Sequence, residues 1–152
     1  YRQAATFGGE CRRSADHFKQ NLLAHRQEQY LYGDRNAQYM LGRIYETGAG
    51  GVFPNIDEAI RWYEDAAVRG DTASQAKLAV HYGIMGKPRM DKQLGYAWAK
   101  VADASATNEK MKKPYETLKT VISPAEESMG DTTFQQLSAL IAYNLKDLNL
   151  AP

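Results

Sequence analysis

A block of roughly 37 residues occurs twice in this chain, and that recurrence restricts the possible folds more than any other feature. Asp34, Leu41 and Tyr45 return as Asp71, Leu78 and Tyr82, each 37 positions later; Ala59, Trp62 and Ala66 return as Gly95, Trp98 and Ala102, each 36 later. The one-residue difference falls in the connecting loop, where a deletion disturbs least. Within the first block Ala37, Leu41, Gly42 and Tyr45 share one helical face, as do Ala59, Trp62, Tyr63, Ala66 and Ala67. Each block therefore reads as a hairpin of two helices joined by a glycine-rich turn. Small residues (Gly42, Ala59, Ala66) mark places where a neighbouring backbone can come close, with Leu41, Tyr45 and Trp62 filling the space between. Such a hairpin cannot bury its apolar face alone, so the copies must stack. No segment alternates like a strand. The expected fold is all-α, an α/α solenoid of helix-turn-helix repeats with extra capping helices at both ends.

Between 37 and 70 the chain follows the pattern Ala-x-x-x-Leu-Gly-x-x-Tyr-x-x-Gly-x-Gly-Val, then Ala-x-x-Trp-x-x-x-Ala-Ala-x-x-Gly, with one extra glycine at Gly50-Gly51. This resembles the Sel-one-like repeat family (SLR), relatives of the tetratricopeptide repeats. The second copy departs from it: Ala79 replaces the helix glycine, and Gly83-Ile-Met-Gly86-Lys-Pro88 replaces the glycine turn. The resemblance covers roughly half the chain. It implies a scaffold for recognition and carries little about activity.

Taken in order, residues 1–12 read as an irregular arm, and 14–33 as an N-terminal cap helix started by Ser14, with Ala15, Phe18 and Leu22 inward. Repeat one occupies 34–70. Its first helix starts at Asp34 and stops at Gly48; its second is capped by Asn55, with Glu58 completing a capping box. Repeat two occupies 71–106, with helices over about 72–85 and 91–105. The region 107–152 carries the C-terminal helices, all within a single domain. Asn108 stands 37 after Asp71, but Pro114 falls where a helix interior is expected, so a helix is placed from about Pro114 to Ile122 with a kinked turn before it. Ser123 and Glu126 form a second capping box, and Gly130-Asp131 is read as a break. Phe134, Leu137, Ile141, Leu145 and Leu148 then form the inward stripe of a last helix.

Composition excludes several functions. Of 152 residues 19 are basic and 18 acidic, a formal +1, which argues against a general electrostatic grip on nucleic acid or an anionic membrane. The densest basic run, Lys110-Met-Lys112-Lys113, reads as a solvated helix end. No apolar run approaches the ~20 residues of a membrane helix. Cys11 is the single cysteine, so no internal disulfide can form, although pairing between chains remains open. Cys11, His17 and His25 do not place three donors on one helical turn, and no metal or cofactor site is expected. Nothing marks an oxyanion hole or an orienting acid beside Cys11 either. Glu64-Asp65 and Glu126-Glu127 are adjacent, so each pair points to different helical faces. Gly48-Ala-Gly50-Gly51 lacks the lysine and hydroxyl residue of a phosphate loop and reads as a turn. Trp62, Trp98, Tyr45 and Tyr82 read as core, the tryptophans as wedges between repeats. No enzyme is expected.

One surface is left as a candidate site. Tyr39, Arg43 and Glu46 lie opposite the core stripe of their helix, and 37 residues later the same positions are Ala76, Val80 and Gly83. A polar rim of Tyr39, Arg43 and Glu46 over an apolar floor of Ala76, Val80 and Gly83 fits a groove that binds a protein partner, with tyrosine and arginine as anchors. The function that the resemblance implies is therefore a protein–protein interaction module, a scaffold or adaptor in a bacterial envelope or secretion setting. Its alternative is an immunity or inhibitor protein that neutralises a secreted toxin. The absence of an initiating methionine at Tyr1 points to a periplasmic or secreted protein or to a trimmed chain.

Overall fold

Asp34, Asp71 and Asn108 stand 37 residues apart, and each caps a helix. The Asp34 carboxylate accepts from Ala37 N at 3.1 Å, that of Asp71 from Ser74 N at 2.9 Å, and the Asn108 side-chain oxygen from Met111 N at 3.1 Å. These oxygens satisfy backbone donors that the first helical turn leaves free. The three helices are α1 (Arg35–Thr47), α3 (Thr72–Gly83) and α5 (Glu109–Lys119). Between them lie α2 (Ile56–Ala67) and α4 (Lys92–Ser105), and α6 (Pro124–Asp147) follows. The structure is a computed structural model that describes residues 34–86 and 88–147. It is all-helical over those residues, an α solenoid of helical hairpins. The expected arm, the cap helix begun by Ser14, Cys11, His17, His25 and Leu148 lie outside the described residues.

The two hairpins close alike. Gly48 takes the left-handed φ of 74° that stops α1, and Gly50 and Gly51 also lie at positive φ in the 3-10 turn Ala49–Gly51. Asn55 N then donates to Tyr45 O at 2.8 Å, and one repeat later Asp91 N donates to Tyr82 O at 2.8 Å. That bond changes the expected capping box. Asn55 Oδ1 does accept from Glu58 N at 3.1 Å, but the Asn55 N–H is already spent on Tyr45, so the reciprocal half does not form. The second box is complete: Ser123 N and Oγ both donate to Glu126 Oε1, at 3.2 and 2.7 Å, and Glu126 N donates to Ser123 Oγ at 3.3 Å.

The main core lies between α2, α3, α4 and α5, around Tyr63, Leu78, Tyr96, Trp98 and Leu118, with Phe134, Leu137 and Ile141 of α6 packed against it. Trp98 is buried in this cluster, and Trp62 in a smaller one with Leu41, against which Ala37, Ile44 and Tyr45 of α1 pack. Gly42 is tight against the Tyr63 ring rather than a backbone, since a Cβ there would come within 2.5 Å of that ring.

Two breaks expected from proline and glycine are absent. Helix α5 begins at Glu109 and runs through Pro114 without a kinked entry turn. The ring removes the hydrogen bond to the Lys110 carbonyl, but Lys110 is exposed and water can take that place, while the buried Pro114 ring packs inward. Helix α6 runs through Gly130-Asp131 for 24 residues. Gly130 is buried, and a Cβ on it would lie 2.5 Å from the Tyr96 ring, so the glycine admits α4 rather than ending α6. Asp131 accepts from Lys100 Nζ at 2.8 Å and from the Tyr96 hydroxyl at 3.2 Å. At its far end α6 reaches the corner after α2, where Asn144 Nδ2 donates to Val68 O at 2.8 Å.

Candidate protein-recognition groove

The first helices of successive hairpins, α1, α3 and α5, expose one face each, and a groove of about 720 Å³ lies along them. That volume is within the ~300–1,000 Å³ of ordinary ligand sites. Its floor is α3, with Ala73, Ala76, Val80 and the capping residue Ile84. Tyr39 and Glu46 of α1 form one wall. Met111, Lys113, Pro114 and Thr117 of α5 form the other, with Asn108 and Lys110 at its start.

Of the residues read from sequence as the site, Tyr39, Glu46, Ala76 and Val80 line this groove, and Arg43 and Gly83 do not. Arg43 is turned back along its own helix, where Nη1 donates to the Tyr39 hydroxyl at 3.2 Å. Gly83 is buried beneath the floor: a Cβ there would come within 2.8 Å of Leu118 and 3.3 Å of the Gly95 backbone. Tyr39 is only half exposed, its ring tilted on that of Tyr63 with centroids 5.9 Å apart.

Glu46 is the electrostatic centre of the α1 wall. It accepts a short hydrogen bond from the Tyr63 hydroxyl of α2 and one from Lys77 Nζ of α3 at 3.1 Å, and His81 Nε2 lies 3.8 Å away. His81 is itself buried and stacked on Tyr63, with centroids 6.2 Å apart. Burial works against the Glu46 charge. The nearby His81 and the hydrogen bonds from Tyr63 and Lys77 outweigh it and hold the carboxyl down at about 2. The Tyr63 phenol moves the other way, pushed above its ordinary range by burial and then by the hydrogen bond to the Glu46 anion. A carboxylate so far below neutrality is poorly matched to proton transfer. Its geometry instead ties α1, α2 and α3 together beside the groove.

The α5 wall escaped the sequence reading, although the 37-residue step reaches it. Tyr39 and Ala76 lead to Lys113, and Arg43 and Val80 lead to Thr117. The basic run read as a solvated helix end is indeed exposed at Lys110 and Lys113, but both border the groove. Pro114 masked the continuation of the register. Among the described residues no group of three or more His, Cys, Asp or Glu is placed to hold a metal ion. No described helix is long and apolar enough to cross a membrane.

A family model for the Sel1 repeat matches residues 35–71 and 72–102, the segments that hold α1–α2 and nearly all of α3–α4. Residues 35–102 are thus two Sel1 repeats. Among solved structures it is similar to the crystal structure of c5321, described as a protective antigen present in uropathogenic Escherichia coli strains displaying an SLR fold. The TM-score is 0.62 at 23% identity, over 76% of this chain and 26% of that one. The chain thus spans about a quarter of the length of that relative, and the likeness concerns fold alone. A comparison with curated proteins finds no match. Sel1 repeats are generally protein-interaction modules and typically non-enzymatic helical scaffolds.

Proposed function

We propose that this Sel1-like repeat chain is a bacterial scaffold or adaptor whose protein partner docks in the groove between α1, α3 and α5. The observation that carries this reading is the make-up of the groove. It is an open, apolar floor of Ala76, Val80 and Ile84 flanked by polar side chains of two other helices. An apolar floor with few polar groups is what orients and desolvates a bound segment. Stacked hairpins supply such a surface at no cost to their cores, because the core stripes face the other way.

The test is site-specific photo-crosslinking in the source cells. A photoreactive residue at Val80, on the floor, should trap a discrete protein product. The same residue at Gln136, exposed on α6, should not. Equal products from both positions, or none from Val80, would refute the reading.

A further inference from the structure

We infer that the segment this groove receives is acidic and amphipathic, its carboxylates facing α5 and its apolar side chains on α3. The inference rests on the proposed docking groove and adds the chemistry of the occupant. Besides the Tyr39 phenol, five charged or titratable side chains border the groove: Glu46, Lys77, His81, Lys110 and Lys113. The one anion, Glu46, is already engaged by Tyr63, Lys77 and His81. It therefore offers a visiting cation little. Lys110 and Lys113 are different. Both are exposed, they stand one helical turn apart at the start of α5, and neither has an anionic partner among the described residues. The groove thus presents lysines without an ion pair along one wall only, beside an apolar floor to which Ile84 contributes at 40% exposure.

That asymmetry selects a protein segment over a nucleic acid. A phosphate backbone laid on Ala76, Val80, Met111 and Pro114 would lose hydration there without gaining partners. An amphipathic peptide satisfies both sides at once, and opposite charge across the α5 wall fixes its orientation and speeds its approach.

Three synthetic twelve-residue peptides with identical leucines, and Glu, Gln or Lys at every other position, test this by fluorescence anisotropy. The Glu peptide should bind at least tenfold more tightly than the Gln peptide, and the Lys peptide should not bind. This preference should weaken as salt rises toward 1 M, where screening acts over only about 3 Å. It should vanish in the double variant Lys110→Gln/Lys113→Gln, whose melting temperature should match the wild type because both side chains are exposed. Equal binding of the Glu and Lys peptides, no binding by any of them, or a preference that survives loss of both lysines would overturn the inference. So would equal competition by a twelve-nucleotide single-stranded DNA. The variant Ile84→Arg, on the same floor, separates the two readings. If it abolishes the crosslink from position 80 in cells while the lysine double variant leaves that crosslink intact, the groove stands and the acidic occupant falls.

Discussion

Gly95→Ala is the substitution whose sign the structure decides against ordinary helix propensity. In an exposed helix interior alanine is favoured over glycine by about 1 kcal/mol. Here a Cβ on Gly95 would lie 2.5 Å from both Gly83 Cα and Gly83 N, and 3.1 Å from the Tyr82 carbonyl carbon. Ordinary carbon contacts begin near 3.5 Å, so the overlap is about 1 Å, and it is with backbone rather than with a movable side-chain end. Overpacking of a close-packed interior costs roughly 1–3 kcal/mol, and a backbone collision belongs at the upper end. The net expectation is a loss of about 1–2 kcal/mol, or about 2–8 °C in melting temperature at this chain length. Ala59 holds the equivalent position in the first hairpin and is fully buried, so Ala59→Gly is the matched control. It should also destabilise, by about 2 kcal/mol, through lost helix propensity and one lost buried methyl. Thermal melts followed by circular dichroism at 222 nm, with urea titrations for the free energies, read both variants. A Gly95→Ala protein as stable as the wild type, or more so, would show that α3 and α4 do not cross in contact at Gly83 and Gly95.

Trp98→Ala should cost roughly 3–5 kcal/mol in a urea titration, because the ring is buried where α2, α3, α4 and α5 meet. Trp62→Ala should loosen hydrogen-exchange protection in α1 and α2 first, since its neighbours lie on α1; equal loosening throughout would contradict the separate cluster. Glu46 is held near 2 against an ordinary 4.5, so its charge stabilises the fold above about pH 4.5, and that contribution is lost as the pH falls toward 2. The stability gap between the wild type and Glu46→Gln should therefore close over that window, and a constant gap would remove Glu46 from the network. Tyr39→Ala should lower stability by about 1–2 kcal/mol through lost packing on Tyr63, while Arg43→Ala, which removes one hydrogen bond to Tyr39, should cost about 1 kcal/mol or less. Melting points in the reverse order would contradict these contacts.

The periodic parts of the fold were legible because each is written in a local signal. Asp34 and Asp71 announce their helices by side-chain chemistry, Gly48 by its left-handed backbone, and Trp98 by its recurrence in the helical stripe. The misread places are those where packing overrides propensity. Pro114 looked like a start, yet losing one hydrogen bond at an exposed carbonyl is cheaper than leaving the buried ring without contacts. Gly130 looked like a break, because nothing in its own segment shows that the Tyr96 ring arrives there. The groove divided the same way. Tyr39, Ala76 and Val80 follow from spacing alone. Arg43 fell outside because its long side chain turns back to Tyr39, a choice among rotamers that no spacing encodes. Lys77 and His81 join the site through Glu46, three helices deep in pairing that sequence does not reveal.

Superposing the repeats by their own numbering shows how one motif builds two different junctions. In the first, Glu46 of α1, Tyr63 of α2 and His81 of α3 meet in a polar knot. Adding 37 to the α1 and α3 positions and 36 to the α2 position gives Gly83, Ala99 and Leu118. There Gly83 lies against the fully buried Leu118, and Ala99 is buried in the same cluster. The carboxylate, phenol and imidazole of one junction thus become a glycine, a methyl group and an isobutyl group in the next. At the second junction Leu118 of α5 and the Gly95 backbone of α4 occupy the space that a side chain on Gly83 would need. Polar knots are costly when any member is missing, since the others are left buried without partners, whereas an apolar junction tolerates imperfect fit. The polar junction is also the one whose members Glu46 and His81 border the groove. Hydrogen bonds from Tyr63 of α2 and Lys77 of α3 to the ionised Glu46 tie the α1 wall to the α3 floor, which opposes a change in the width of the groove.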